Sequence, residues 1–306
     1  MRTVLCVGHA VQDFVFTVPA LPRSAEKHQA SGFQTVGGGP AATAAVAVAR
    51  LGGRALLAAR VGDDPVADTI VAELAAWGVD CSVIQRCPGC SSSLSAVLVD
   101  PGGERMIVNY LDPAMPESAD WLPPVSRTGA AVVLADSRWA TGARTALAAA
   151  RAAGLPGVLD ADRPAPIDDE ALASASHVAF SFEALADETG ESDPVRGLRA
   201  IGSGLDAWCC VTVGAEGVFV LEGGQVTHFP GHAVPVVDTL GAGDVWHGAF
   251  ALGLAEGMRE AAAVRFASAA AAIKVQRHGG RAGAPTRADV EELLDHHPAT
   301  AVRNLP

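Results

Sequence analysis

Short apolar runs alternate along the chain with longer alanine-rich stretches. TVLCVG (3–8), RALLAARVG (54–62), AAVVLAD (130–136), LPGVLDAD (155–162), HVAFS (177–181) and DAWCCVTVG (206–214) read as buried strands. Between them, PAATAAVAVARLG (40–52) has proline at its start and glycine at its stop, the punctuation of a helix. Residues 64–79 and 141–153 read as helices as well, and the chain is mostly helical from 242 to about 294. This alternation predicts an α/β fold: a central, mostly parallel sheet flanked by helices on both faces.

Two regions depart from the alternation. Residues 12–36 and 81–110 break into short strands and turns. Within the second, SLSAVLVDPGGERMIVNY (93–110) carries two alternating runs joined by DPGGE, a hairpin signal. These strands are expected to pair into a small β-sheet lid over the carboxyl end of the main sheet, where such folds bind ligands. A second hairpin is expected at 216–229. With no low-complexity linker and no internal repeat, residues 1–306 read as one domain with a lid.

Composition narrows the function classes. The chain has 306 residues, 49% of them hydrophobic, enough for a large core. The formal net charge of −12 repels nucleic-acid backbones and anionic lipid, so neither is an expected partner. The N-terminus MRTVLCVGHAVQD reads as a first strand rather than a signal peptide. No stretch reaches the ~18 apolar residues of a membrane span, so a cytoplasmic location is expected. Six cysteines fit that compartment. Cys6, Cys209 and Cys210 fall in buried strands, and Cys87-Pro-Gly-Cys90 reads as a turn rather than a metal or redox motif.

The candidate chemistry lies at DTLGAGD (238–244), where a helix should begin. A helix N-terminus presents N–H groups without intrahelical partners and a partial positive charge. Gly241, Ala242 and Gly243 carry nothing beyond Cβ, so a phosphoryl group can approach those amides. Asp244 follows in the first turn and is placed to take a proton from an attacking hydroxyl. The helix dipole is expected to keep it ionised at pH 7. The competing reading is a glycine turn with an aspartate cap.

The motif D-T-L-G-A-G-D-V-W-H-G-A-F resembles the C-terminal signature of the ribokinase-like (phosphofructokinase-B group) sugar kinases. G-G-G-P-A-A-T-A-A-V-A-V-A-R-L-G with R-V-G-D-D resembles the N-terminal signature, and V-T-V-G-A-E-G (211–217) the nucleotide-side stretch. The resemblance implies Mg²⁺-ATP-dependent phosphorylation of a sugar hydroxyl, with Asp244 as base and Gly241, Ala242 and Gly243 as anion hole. It places Asp13, Gly38 and Gly39 on the sugar and Thr212, Gly214 and Gly217 on ATP. It makes Asp238 a ligand of a monovalent cation such as K⁺.

Two positions depart from the family pattern. Thr43 stands where asparagine is usual, which puts a ribose pocket in doubt. S-F-E-A (181–184) stands in place of the N-x-x-E motif, leaving Ser181 and a displaced Glu183, so that Mg²⁺ support is expected either through water or from Glu183. Within the family the sequence is most similar to the sulfofructose kinases. That similarity implies that Lys27, Asn109 and Arg138 grip the sulfonate of 6-deoxy-6-sulfofructose, with phosphorylation at the 1-hydroxyl. A cationic pair plus an amide suits a three-oxygen anion, although each residue alone also reads as an ordinary surface group. Fructose 6-phosphate, another ketose phosphate or a neutral sugar is the alternative substrate, and a catalytically silent sugar-binding regulator the alternative class. A dinucleotide-binding dehydrogenase is disfavoured because G-H-A-V-Q-D, not G-x-G-x-x-G, follows the first strand. His247 either lines the site or packs. The free strand edges of a lid suggest a homodimer joined through it.

Overall fold

The computed structural model describes residues 1–102, 104–162, 169–296 and 303–305. Fourteen strands are present among them: β1 (Thr3–Gly8), β2 (Val11–Thr17), β3 (Gly32–Gly38), β4 (Arg54–Gly62), β5 (Gln85–Cys87), β6 (Leu94–Val99), β7 (Arg105–Tyr110), β8 (Ala130–Asp136), β9 (Gly157–Ala161), β10 (His177–Ser181), β11 (Trp208–Thr212), β12 (Gly217–Glu222), β13 (Gln225–Pro230) and β14 (Arg303–Leu305). Ten form one sheet in the order β14-β13-β12-β11-β10-β9-β8-β1-β4-β5. Its pairings are parallel from β5 to β11 and antiparallel from β11 to β14. The expected α/β architecture is therefore present.

Side-chain alternation along these strands feeds two cores. Val4 and Cys6 of β1 face helices Pro40–Arg50, Ala242–Ala255 and Glu260–Lys274; Leu5 and Val7 face helices Ala140–Ala152 and Pro194–Gly202. The alanine-rich helices suit this arrangement because small side chains let helix and sheet approach closely. Covering both faces with helices is what permits near-continuous apolar strands.

Strands β3, β2, β6 and β7 make a separate four-stranded sheet. Register sorts its side chains. Asp13, Ser95 and Asn109 stand in one row on one face. Phe14, Ala96 and Val108 stand in the next row, on the other face. Asp100 organises the β6–β7 turn by accepting the Gly102 and Glu104 N–H groups; Gly103 of that turn lies outside the described residues.

The segment expected to join the small sheet at 81–110 divides. Gln85–Cys87 pairs parallel with β4 at the edge of the large sheet, and only residues from Leu94 onward join β2. The reason is apolar anchoring: Val83 and Ile84 pack against the two main cores, fixing the chain at the edge before it turns. The C-terminal strand β14 has no counterpart in the sequence pattern, because a three-residue strand carries no hydrophobic period. Cys87 and Cys90 are free thiols in a turn closed by the Cys90 N–H on the Cys87 carbonyl. No helix among the described residues is long and apolar enough to cross a membrane.

One buried carboxylate locks the carboxyl ends of the central strands. Asp136, the last residue of β8, accepts the His9 N–H (2.8 Å) and the Ala41 N–H (3.0 Å) through Oδ2, and the Arg138 N–H (2.9 Å) through Oδ1. It thereby joins the loop after β1, the start of helix Pro40–Arg50 and the loop after β8. Replacing it leaves three N–H groups without their acceptor. Asp136→Ala is expected to lower unfolding free energy by about 3–5 kcal/mol, read as the shift of the urea midpoint at unchanged slope.

Candidate active site

The turn at 238–244 is built by its backbone and by its surroundings. Gly241 caps helix Ala242–Ala255 in the left-handed region (φ 76°), where a side chain would be strained. A Cβ on it would also stand 3.2 Å from Cγ2 of Thr43. Thr43 is buried in helix Pro40–Arg50, so the two helix starts touch here. The Ala242 N–H turns back to the Thr239 carbonyl (3.2 Å). The next amides, those of Gly243 and Asp244, belong to the first turn, which has no intrahelical acceptors. A Cβ on Gly243 would meet nothing within 4 Å, so the space before these amides is open.

That space continues into a cleft of about 510 Å³. Thr212, Gly214 and Gly217 line one side of it; Val234, Ala272 and Val275 add apolar wall, and Ala242, Gly243 and Trp246 close the end at the turn. The cleft thus brings the residues expected on the nucleotide into one cavity with those expected to hold the transferring group. A cavity of this size, mostly apolar with a few polar groups, suits a small organic ligand.

Asp244 is half-buried and does not behave as the helix dipole alone predicts. Burial, reinforced by the nearby Asp160, Asp162 and Asp136 carboxylates and opposed by His247, pushes its pKa up to about 7 from an ordinary 3.8. The expected full ionisation at pH 7 is therefore corrected: desolvation and like charges outweigh the dipole.

His247, left open between two roles by the sequence, is buried against the turn 238–244. Its Nδ1 hydrogen-bonds the Gly243 carbonyl (2.8 Å), and its Nε2 stands 3.5 Å from Asp160 Oδ1. Burial drives Asp160 well upward and His247 downward, so both shifts favour a neutral pair.

Where the sugar is expected, the glycines make room for Asp13. A Cβ on Gly38 would lie 2.2 Å from Asp13 Oδ2. Asp13 is buried, and burial raises its pKa. Ser95 hydrogen-bonds Asp13 and donates to Asn109 Oδ1 at 2.9 Å, so a polar row runs across β2, β6 and β7. Behind it, the buried Arg281 pairs bidentately with Glu73 (2.6 and 3.1 Å) and reaches the Gly38 carbonyl. Gly39 continues the turn with its carbonyl accepting the Thr43 N–H (2.8 Å).

Each of the three residues expected to grip an anion has its own local surroundings. Arg138 follows β8 and pairs with Asp162 (3.0 Å), not with the Asp136 carboxylate, which takes its main-chain N–H instead. Asn109 is engaged by Ser95. Lys27 is exposed in the loop between β2 and β3. Glu183 is likewise exposed beyond β10, and no contact ties it to Asp244. The nearer carboxylate is Asp162, which no motif in the sequence singles out.

Asp238 does not fit a monovalent cation. Its Oδ1 accepts from the Leu240 N–H (2.9 Å) and Arg105 (3.2 Å). Its Oδ2 accepts from the Gly279 and Gly280 N–H groups (3.1 Å each) and stands 3.2 Å from the Lys274 ammonium. Both oxygens are already taken by the protein's own donors, which correct the expected ligand role. Arg105, from β7, also reaches Thr239 Oγ1 (3.0 Å) and so ties the small sheet to the turn.

The comparisons with known proteins agree with this geometry. Residues 1–287 match the model of the pfkB family carbohydrate kinases. The chain belongs to that family. It is a phosphotransferase acting on carbohydrate with ATP. Among curated relatives, the ribokinase of Bacillus subtilis is 29% identical over 299 residues, covering 96% of this chain and 100% of that protein. A provisionally assigned ribokinase from Agrobacterium tumefaciens superimposes with a TM-score of 0.91 at 38% identity, over 96% of this chain and 98% of that one. The Arabidopsis thaliana ribokinase complexed with ribose and ATP superimposes with a TM-score of 0.84 at 27% identity, over 96% and 98%.

The raised pKa of Asp244 has a consequence for stability. A carboxyl whose folded pKa lies above its unfolded value favours the fold while protonated. That contribution is present in acid and is lost as pH rises from about 4 to about 7. Asp244→Asn is therefore expected to melt several degrees higher than the parent at pH 8 and at the same temperature near pH 4, by thermal denaturation at both pH values.

Proposed function

We propose that this pfkB-family kinase transfers the γ-phosphoryl group of ATP to a sugar hydroxyl at the turn 238–244, with Asp244 as general base. The observation that carries this is the juxtaposition of open first-turn amides with a carboxylate of pKa about 7 at the end of the nucleotide cleft. A base is most effective near the operating pH. The hydroxyl proton passes to Asp244 as the new oxygen–phosphorus bond forms and the bond to departing ADP breaks. The open amides of Gly243 and Asp244 hold the transferring oxygens, on a turn that Gly241 and Ala242 shape. Thr212, Gly214 and Gly217 hold the nucleotide, and Asp13, Gly38, Gly39 and Thr43 the sugar.

Magnesium fits as a companion of the nucleotide. Mg²⁺ keeps several waters and takes one or two carboxylates plus phosphates rather than a protein cage. Asp162 is the half-exposed carboxylate at the turn that suits this role, ahead of Glu183. When bound, the ion neutralises phosphate charge.

For the acceptor we propose 6-deoxy-6-sulfofructose, phosphorylated on its 1-hydroxyl. Arg138 and Asn109 supply the sulfonate end, and Lys27 joins them as the small sheet closes like a lid over the sugar. Arg138 supports this choice: it is a half-buried guanidinium at the strand ends of an acidic protein. The pairing with Asp162 favours the second reading, a neutral sugar, because it already matches the Arg138 charge with a carboxylate. We also propose a homodimer formed through the outer face of the small sheet. Phe33 (59% exposed) and Val108 (61% exposed) present apolar surface there next to the edge strands β3 and β7.

Each reading has its own measurement. Asp244→Asn is expected to lower kcat by about 10²–10⁴-fold, and parental kcat/KM to fall on acidification below about pH 7. Parental turnover by the variant would sink the base assignment. In an ADP-release assay, sulfofructose is expected to outperform fructose 6-phosphate and fructose; equal or better turnover of fructose 6-phosphate overturns the substrate. Arg138→Ala is expected to raise KM for the anionic sugar by roughly 10–100-fold while leaving fructose unaffected. Light scattering should report a dimer, and Val108→Lys a monomer.

A further inference from the structure

Lys274 ends helix Glu260–Lys274 with no exposed surface. Lysine is rarely buried unless its charge is matched. An ammonium has three donors and no acceptor, and this one meets three oxygens. They are the Asp238 carbonyl (2.8 Å), Asp238 Oδ2 (3.2 Å) and the Arg277 carbonyl (3.4 Å). Two main-chain carbonyls and a carboxylate form an all-oxygen set that would equally suit an alkali cation. Burial lowers the affinity of this amine for its proton, and the Asp238 carboxylate opposes that loss.

We propose that Lys274 is a tethered monovalent cation, which holds the turn 238–244 in working shape and makes the kinase independent of K⁺. The proposal rests on reading that turn as the site of phosphoryl transfer. Its geometry is local and specific. The Asp238 carbonyl bound by Lys274 is only a few residues before the anion-facing amides. The Val237 and Asp238 N–H groups dock on the Val275 carbonyl, next to Lys274 (2.7 and 3.0 Å). The end of one helix thus pins the segment that leads into the next. Asp238 has no oxygen left for a second cation, since Arg105, Lys274 and three N–H groups occupy both.

The test compares the parental protein with Lys274→Ala, which removes the ammonium and leaves room for an ion. Both are measured in choline chloride and in KCl at equal ionic strength, by turnover and by thermal melting without substrate. The parent is expected to show the same turnover and the same melting temperature in both salts. Lys274→Ala is expected to lose roughly 10–100-fold in turnover in choline, to regain most of it in KCl or ammonium chloride, and to melt higher in KCl. Activation of the parent by K⁺, or a K⁺-dependent melting temperature of the parent, overturns the proposal. So does a variant that ignores K⁺ in both readouts. If Lys274→Ala does not fold in choline, folding restored by KCl supports the proposal. If it folds in neither salt, the parental comparison decides: indifference to K⁺ supports the proposal and dependence on K⁺ overturns it. Melting needs no substrate, so a parent that phosphorylates no sugar defeats the functional reading while the cation test stands.

Discussion

Too many carboxylates meet at the carboxyl end of the central strands, and the site is shaped by how each is neutralised. Asp136, Asp160, Asp162, Asp238 and Asp244 gather around one turn in a chain of net charge −12. Each has a different solution. Asp136 directs its charge at three N–H groups. Asp162 pairs with Arg138 and Asp238 with Lys274 and Arg105. Asp160, buried against His247, is driven towards its neutral acid. Among the described residues no cation touches Asp244, and its pKa settles near neutrality. Pushing carboxyl pKa values apart in this way is how one site obtains a base among groups of identical chemistry.

The same handling of charge ties the small sheet to the large one. Arg105 crosses from β7 to Asp238 and Thr239, and the buried Arg281–Glu73 pair supports the Gly38 carbonyl beneath Asp13. Thr43 touches Gly241 across the gap between two helix starts. The small sheet and the turn 238–244 are therefore joined by direct contacts.

Much of this is legible in the sequence where the signal is local. Apolar runs and alanine-rich helices announce the sheet and its two cores, and Gly-Ala-Gly before an aspartate marks the turn. What the sequence withholds depends on contacts between distant segments. Lys274 reads as an ordinary last-turn lysine until the fold places Asp238 over it. Asp160 and Asp162 read as strand-end residues until β9 is set beside β8 and β10. Gln85–Cys87 escapes the pattern because a three-residue strand carries no period, and its position is decided by what Val83 and Ile84 bury. The dipole argument for Asp244 fails for the same reason: it counts the helix and not the neighbours.

The acidic balance also bears on how a polyanion such as ATP settles here. Long-range repulsion disfavours its approach, so attraction has to be short-ranged and fixed. First-turn amides act close to contact, and they hold their orientation only if the loop before them is rigid. Lys274 supplies both rigidity and buried positive charge behind that loop, where it cannot be displaced by solvent or exchanged for another ion. A mobile cation from solution would leave the turn's shape subject to ionic composition. If the turn faces phosphate as proposed, a covalently attached cation makes its shape a property of the fold rather than of the surrounding salt.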